Sequence, residues 1–456
     1  MLSTSPYKGT KDFYPEEQLV QNFIFEKWRE VCLSHSFEEY QTPIIEPKEI
    51  YEAKSGEDVG NKELFTFTDL GDRQLCLRPE MTPSVTRIVS GKYKELPKPI
   101  KYFSIGSFYR NERPQKGRNR EFWQINADIF GEGNIYSDLE TISLAIDIMN
   151  KFKAPSNSYA FYLNHRVLIS DFLNLIEVET SKTIPVIRII DKYEKLSPHI
   201  FESELQKYLN DTQINQIAKF LTLEFENLTS IFPEIESNKG YQEIMELLET
   251  IKKIYPEINI FFKGSLVRGF DYYDGLVFEV YDLNPDNNRS LYGGGRYNGL
   301  ANIFGQQNFP AVGFAVGNET FRIFLENWNL IPPINEILNL KKVAIFGIKN
   351  PESDVSHENL IHYIFETSNT LRKNLKNMAI DTLLELKSPS SGLDYASNKN
   401  YDYAILVGPD EYLNSSVSIK DLKTGEQNLF NLPELLTYLT NKNLNNNYSS
   451  AYESLP

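Results

Sequence analysis

Leu19, Phe23, Ile24 and Trp28 recur at helical spacing and predict a helix over residues 17–36. Phe37 to Ile45 reads as an extended segment interrupted by Pro43. Residues 98–130 predict two strands around a polar loop, and the second strand has period two. Trp123, Ile125, Ala127 and Ile129 point one way; Gln124, Asn126 and Asp128 point the other. Ser137-Asp138-Leu139-Glu140 has the form of a capping box, with Ser137 as the N-cap. It opens a helix through Ile142, Ala145, Ile146 and Met149.

Between residues 185 and 256 the chain turns to Glu, Lys, Leu and Ile at helical spacing, with few glycines. This predicts a helical insertion, placed at about 170–258. Strand-like runs return at Leu276–Tyr281 and Ala311–Val316. Residues 331–340, with Pro332-Pro333, read as a linker. Beyond it, KKVAIFGI, a long helical stretch, DTLLELK, a short helix and YAILVG predict a small α/β domain over 341–440. The polar tail at 441–456, NKNLNNNYSSAYESLP, is expected to be disordered. No internal repeat is visible.

Composition narrows the function. The 456 residues suggest roughly two to four domains, and 41% hydrophobic content suffices for their cores. No apolar run reaches 18 residues, and MLSTSPYKGTKDFYP lacks a signal peptide's basic-then-apolar layout, so no membrane role is expected. Cys32 and Cys76, the only cysteines, form no disulfide framework and fit a reducing cytoplasm. Without CxxC or HExxH pairs, no protein-ligated metal is expected. A net charge of −15 argues against a generic nucleic-acid coat, so any RNA contact must rest on a local basic patch.

One such patch exists. Arg110, Arg113, Lys116, Arg118 and Arg120 lie in the loop between the two strands of 98–130. Guanidinium groups there suit a polyphosphate, and the polar face of Gln124, Asn126 and Asp128 suits a polar ligand; a solvated hairpin is the bland alternative. In Leu266-Val-Arg-Gly-Phe-Asp-Tyr-Tyr273, Arg268 reads either as a cation over aromatic rings or as an electrophile beside a reacting phosphate. The glycines of Tyr292-Gly-Gly-Gly-Arg-Tyr-Asn-Gly-Leu300 permit close backbone approach. Ala311, Gly313, Ala315 and Gly317 form a flat floor, for a planar ligand or for tight packing. No glycine loop carries a Walker lysine, so P-loop chemistry is unsupported.

In this order the pieces resemble the class II aminoacyl-tRNA synthetases, and within them the histidyl-tRNA synthetase family. EEYQTPIIEP is similar to motif 1, residues 102–128 to motif 2 and residues 311–325 to motif 3. VRGFDYY and YGGGRYNGL resemble the two histidine signatures, and KGTKD and VSIKDLKTGEQ also look like the family. The class I motifs HIGH and KMSKS are absent. The resemblance implies an α+β protein. Its class II catalytic domain, over 1–330, is built on an antiparallel sheet carrying the helical insertion, and 341–440 becomes an anticodon-binding domain.

The resemblance also implies roles. Glu80, Thr82 and Gln124 would hold the α-amino group of L-histidine; Asp128, Tyr272, Tyr273 and Tyr297 would form the imidazole pocket. Arg110 and Arg268 would be catalytic, meeting the histidine carboxylate and the ATP α-phosphate. Glu112, Phe122 and Arg118 would bind ATP, which brings Mg²⁺; Arg113, Gln115 and Arg120 would meet the tRNA acceptor end. A cytoplasmic homodimer acting on histidine tRNA is implied. A regulatory paralogue acting on ATP phosphoribosyltransferase is the alternative. It drops the anticodon domain and parts of the signatures, whereas this chain keeps the cationic loop, RGFDYY and a C-terminal α/β domain.

The chain departs from the family's pattern twice. Asp128 stands where glutamate is common, and Thr320 stands where motif 3 usually has its ATP-binding arginine. Arg322 lies two residues on. At about 100° per residue it falls on the opposite flank of the Phe321, Phe324, Leu325 and Trp328 stripe, so it is not expected to substitute. Arg110, Arg113, Arg118 and the helix N-terminus near Asn318 are expected to serve the nucleotide instead.

Overall fold

The computed structural model describes residues 3–52, 63–115, 117–267, 272–285, 287, 290–338 and 340–452, with side chains described to residue 442. The chain forms two compact units, Met1–Pro332 and Pro333–Pro456. Among the described residues no helix is long and apolar enough to cross a membrane.

The first unit opens with a helix, Pro15–Ser34, begun by Pro15 with Glu16 and Glu17 in its first turn. Proline's fixed φ and the acidic side chains both suit a helix N-terminus. Beyond it, Pro43 separates two short strands, β1 (Glu38–Glu39) and β2 (Ile45–Pro47). β2 joins β3 (Phe65–Thr68) and β4 (Gln74–Leu77) in a small sheet of order β2-β4-β3.

The main sheet is built from β5 (Ile100–Tyr109), β6 (Glu121–Phe130), β7 (Tyr159–His165), β8 (Ile260–Phe262), β9 (Leu276–Asp282), β10 (Ser290–Arg296) and β11 (Ala311–Gly317). Its order is β1-β5-β6-β11-β10-β9-β7-β8. The pairs β1–β5 and β7–β8 are parallel and the rest antiparallel. Helices between Arg166 and Ile254 occupy the connection from β7 to β8.

The period of two in β6 decides which face does what. The Trp123 face packs under helices: Phe25 lies 5.6 Å from Trp123, and Trp28 lies 5.5 Å from Phe321 of the helix Asn318–Asn327. That apolar burial leaves the Gln124, Asn126 and Asp128 face for the site.

The expected capping box at Ser137 is not what starts the next helix. The helix Ile135–Lys151 is capped by Asn134, whose side chain accepts from the Tyr136 amide. Ser137 and Asp138 belong to a tertiary contact instead. Arg296 of β10 donates to Asp138 through Nε at 3.1 Å and Nη2 at 2.6 Å, and through Nη2 to Ser137 Oγ at 2.7 Å. It also donates to the carbonyls of Glu132 and Asn134. Glu140, the expected N3 carboxylate, pairs with Lys101 at 2.6 Å and with His35 at 3.2 Å.

The second unit has a sheet of order β13-β12-β14-β15-β16: β12 (Lys341–Gly347), β13 (Met378–Thr382), β14 (Tyr403–Val407), β15 (Ser416–Asp421) and β16 (Gln427–Asn431). The first three strands in that order are parallel, with helices His357–Asn374 and Pro389–Asn398 in their connections. Its core holds Val343, Ile345, Ile364, Leu371, Ile405 and Leu435. The chain ends in a helix, Leu432–Tyr452, which runs through most of the stretch expected to be disordered. Leu435 and Leu439 anchor its first turns on the core; the asparagines and serines that follow are weak helix formers.

Candidate active site

A cleft of about 530 Å³ opens on the polar face of β6. Glu80, Thr82, Arg110, Glu112, Arg118, Phe122, Gln124, Asp128, Tyr272, Tyr273 and Tyr297 all line it. These residues come from the β4–helix corner, the β5–β6 hairpin, the segment before β9 and the end of β10. Arg268 lies outside the described residues.

One end of the cleft is narrow and aromatic. Tyr272 and Tyr273 rings lie 4.8 Å apart, and Tyr297 meets Tyr272 edge-on at 5.9 Å. The Tyr272 hydroxyl donates to Glu80 Oε2 at 3.0 Å, and the Tyr297 hydroxyl donates to Asp128 Oδ1 at 2.5 Å. Burial pushes the Asp128 carboxyl up to about 7, with the Tyr297 hydrogen bond opposing it. Burial likewise pushes the phenols of Tyr272 and Tyr297 well above the ordinary range. A carboxylate among clustered phenols can accept a hydrogen bond from a planar, polar ring.

The glycines serve this narrow end. Gly313 pairs with Asp128 across β11 and β6, and a Cβ there would overlap the Asp128 carboxylate and the Ala127 carbonyl. At Gly295 a Cβ would come within 2.9 Å of the Tyr273 ring. Close packing of the pocket walls, as well as any planar ligand, therefore requires these glycines.

The other end is polar and cationic. The Arg110 guanidinium lies 5.2 Å from the Phe122 ring and donates to the Pro79 carbonyl at 3.1 Å. Arg118 reaches Glu112 at 3.8 Å and stays largely exposed. Glu319 and Thr320 also line this end. Thr320 Oγ1 donates to the Leu291 carbonyl at 3.1 Å, joining the helix start to β10. Arg322 does not line the cleft; its Nε donates to Glu326 Oε1 at 2.8 Å.

The loop residues divide. Arg113 and Gln115 are exposed and do not line the cleft. Arg120 is turned inward: it donates to the Tyr7 hydroxyl, and to the carbonyls of Lys8 and Glu112. Its amide donates to the Gly9 carbonyl at 2.7 Å, and a Cβ on Gly9 (φ +92°) would sit 2.8 Å from the Arg120 side chain. The KGTKD segment is thus the strap that holds the hairpin loop.

Arg78 escaped the sequence reading. It is 2% exposed and donates to the carbonyls of Ser107 and Thr42 at 3.0 Å each. It knots the Pro43 segment, the LRPEMT corner and β5 together behind Glu80. Its place beside Pro79-Glu80 in the sequence was the only signal.

Comparison with known proteins agrees with this geometry. Residues 9–321 match the family model of histidyl-tRNA synthetase, and residues 342–442 match that of an anticodon binding domain. The chain is 38% identical over 440 residues to a histidine–tRNA ligase of Leptospira biflexa, covering 95% of this chain and 97% of the relative. It is 33% identical over 435 residues to one of Thermoplasma volcanium, covering 95% and 97%. Its fold is similar to a crystal structure of histidyl-tRNA synthetase from Nostoc sp., with TM-score 0.76 at 20% identity, covering 97% of this chain and 100% of that one. The chain belongs to the histidyl-tRNA synthetase family.

Proposed function

We infer that the protein is a histidine–tRNA ligase, which activates L-histidine with ATP and passes it to the 3′ end of its tRNA. One observation carries the reading: a single cleft joins an aromatic pocket ending in Asp128 to a cationic end at Arg110. The second unit matches an anticodon binding domain, the part that the regulatory alternative would lack. Purified protein should exchange pyrophosphate into ATP only when histidine and Mg-ATP are both supplied; histidine binding without exchange would favour the regulatory reading.

The chemistry follows from the charges. The histidine carboxylate attacks the α-phosphorus of ATP, and both are anionic. Arg110, resting against Phe122, screens their repulsion and offers its planar fork to the phosphate. Arg268 is assigned the opposite side of the same phosphate. Mg²⁺ bound to the nucleotide would supply further positive charge to the departing pyrophosphate. Glu80 and Gln124 accept hydrogen bonds from the ammonium group, and Asp128 accepts one from the imidazole N–H. Thr320 offers no charge to the nucleotide, so Arg110, Arg118 and the amides at the start of Asn318–Asn327 carry that load.

Asp128 gives a pH signature. As pH rises through about 7 the carboxylate forms, so kcat/KM for histidine should rise through that range. Asp128→Asn should remove that limb and raise the histidine KM by roughly tenfold. Because burial raises this pKa, the ionised carboxyl costs stability at high pH, so the variant should also melt higher at pH 8. An unchanged histidine KM would refute the contact.

We also propose a symmetric homodimer. Ile44, Ile45 and Phe67 are 39%, 49% and 37% exposed at the small β2-β4-β3 sheet, where the motif 1 segment lies. An apolar group of that kind marks a protein interface. Sedimentation at micromolar concentration should give twice the chain mass; a monomer would contradict it.

A further inference from the structure

Among the described residues, nine buried side-chain nitrogen or oxygen atoms have no hydrogen-bond partner, and three of them come from one place in the sheet. They are Tyr40 Oη, Ser104 Oγ and Asn126 Nδ2. Ser104 stands directly opposite Asn126 across β5 and β6. Their Cβ atoms are therefore about 5 Å apart on one face of the sheet. Tyr40 follows β1, whose Glu38 and Glu39 pair with Tyr102 and Phe103, so it stands level with Ser104. Its amide donates to the Phe103 carbonyl at 2.9 Å, and its ring leans on Tyr102 at 5.7 Å.

The row lies beside the aromatic end of the cleft. Asn126 lines that cleft, two residues before Asp128 and on the same face. Tyr40 packs on the core group that contains Tyr272, Tyr273 and Tyr297. Burial, and then the nearby Asp128 charge, push the Tyr40 phenol well above its ordinary range, opposed by the close approach of the Ser104 hydroxyl, so these two hydroxyls face each other rather than standing alone. Ser104 and Asn126 are 0% and 5% exposed. Buried polar groups in folded proteins are nearly always paired, and a buried water commonly takes about three otherwise unsatisfied partners. The Tyr40 and Ser104 hydroxyls approach each other and Asn126 stands opposite Ser104, so the row offers a water two hydroxyls and an amide donor. A polar ring seated on Asp128 would lie against the same row.

We propose that Tyr40, Ser104 and Asn126 form a polar floor to the amino-acid pocket, holding one ordered water that hydrogen-bonds the edge of the histidine side chain beside Asp128. Tyr40 is thus a positioning residue for histidine recognition, acting through the water. The inference deepens the histidine reading and rests on it. An aliphatic or phenyl side chain in the same place would leave the water with an unmatched hydrogen bond, so the floor adds selectivity as well as affinity.

Tyr40→Phe keeps the ring and removes only the hydroxyl. We expect the histidine KM in pyrophosphate exchange to rise about fivefold to tenfold, the size of one lost hydrogen bond. The kcat and the ATP KM should stay within about twofold, and the melting temperature should not fall. Histidine dissociation constants from calorimetry should shift by the same factor. A histidine KM and dissociation constant within twofold of the parent would overturn the proposal. So would a joint rise in both substrates' KM values with a lowered melting temperature, since that marks a packing role. If Tyr40→Phe does not fold, Ser104→Ala is read in the same way. Loss of exchange in the parent protein would defeat the ligase reading, whereas the calorimetric comparison would still decide the role of Tyr40.

Discussion

Asp138→Ala is expected to destabilise the Met1–Pro332 unit by about 3–5 kcal/mol in chemical denaturation, among the largest effects of any single substitution in this protein. Arg296 and Asp138 have side chains only 8% and 5% exposed and meet at 2.6 Å. Removing the carboxylate leaves a guanidinium buried among neutral oxygens, with Asp274, which it does not touch directly, as its remaining counter-charge. Its other bonds, to Glu132, Asn134 and Ser137, still hold the start of the helix Ile135–Lys151 onto β10, so the loss comes from the uncompensated charge rather than from a freed helix. Neither residue lines the cleft, so whatever protein remains folded at low temperature should keep its histidine KM. Replacing both partners by Asp138→Leu and Arg296→Met should recover most of the loss, because a buried pair contributes little beyond an apolar pair of similar volume. A single-variant loss below about 1 kcal/mol would show that the pair is hydrated.

The second large effect is kinetic. Arg110→Ala should lower the rate of histidine-dependent pyrophosphate exchange by about 10²–10³, the usual cost of one preorganised group aimed at developing charge. Histidine binding without ATP should change far less than turnover. The melting temperature should change little, because the Arg110 side chain donates to the Pro79 carbonyl and rests against the Phe122 ring without bridging distant elements among the described residues. A fall in stability matching the fall in rate would place Arg110 among the structural groups with Arg78.

These two residues also mark what could be read from the chain alone. Arg110 sits in a loop crowded with cations next to a strand of period two, and both signals are local. The same alternation assigned Gln124, Asn126 and Asp128 to one face, and β6 puts them there. Asp138 was misread because its pattern, a hydroxyl followed three residues later by a carboxylate, is what a capping box requires; its true partner lies 158 positions away. Arg78 and Tyr40 were silent for the same reason. A buried arginine bonded to carbonyls, or a tyrosine level with a serine on the neighbouring strand, leaves no periodic trace. Arg120 counted as one more loop cation until the Gly9 strap showed what it holds. Local chemistry was therefore legible, while the long-range pairs that position it were not.

The central claim is that this cleft selects histidine and that the chain loads it onto tRNA. The most direct measurement is aminoacylation of unfractionated tRNA with each of the twenty labelled amino acids in turn, using the purified full chain and Mg-ATP. The account predicts label on tRNA with histidine alone, lost in the Arg110→Ala variant. Charging with a different amino acid, or tight histidine binding with no label on any tRNA, would contradict it.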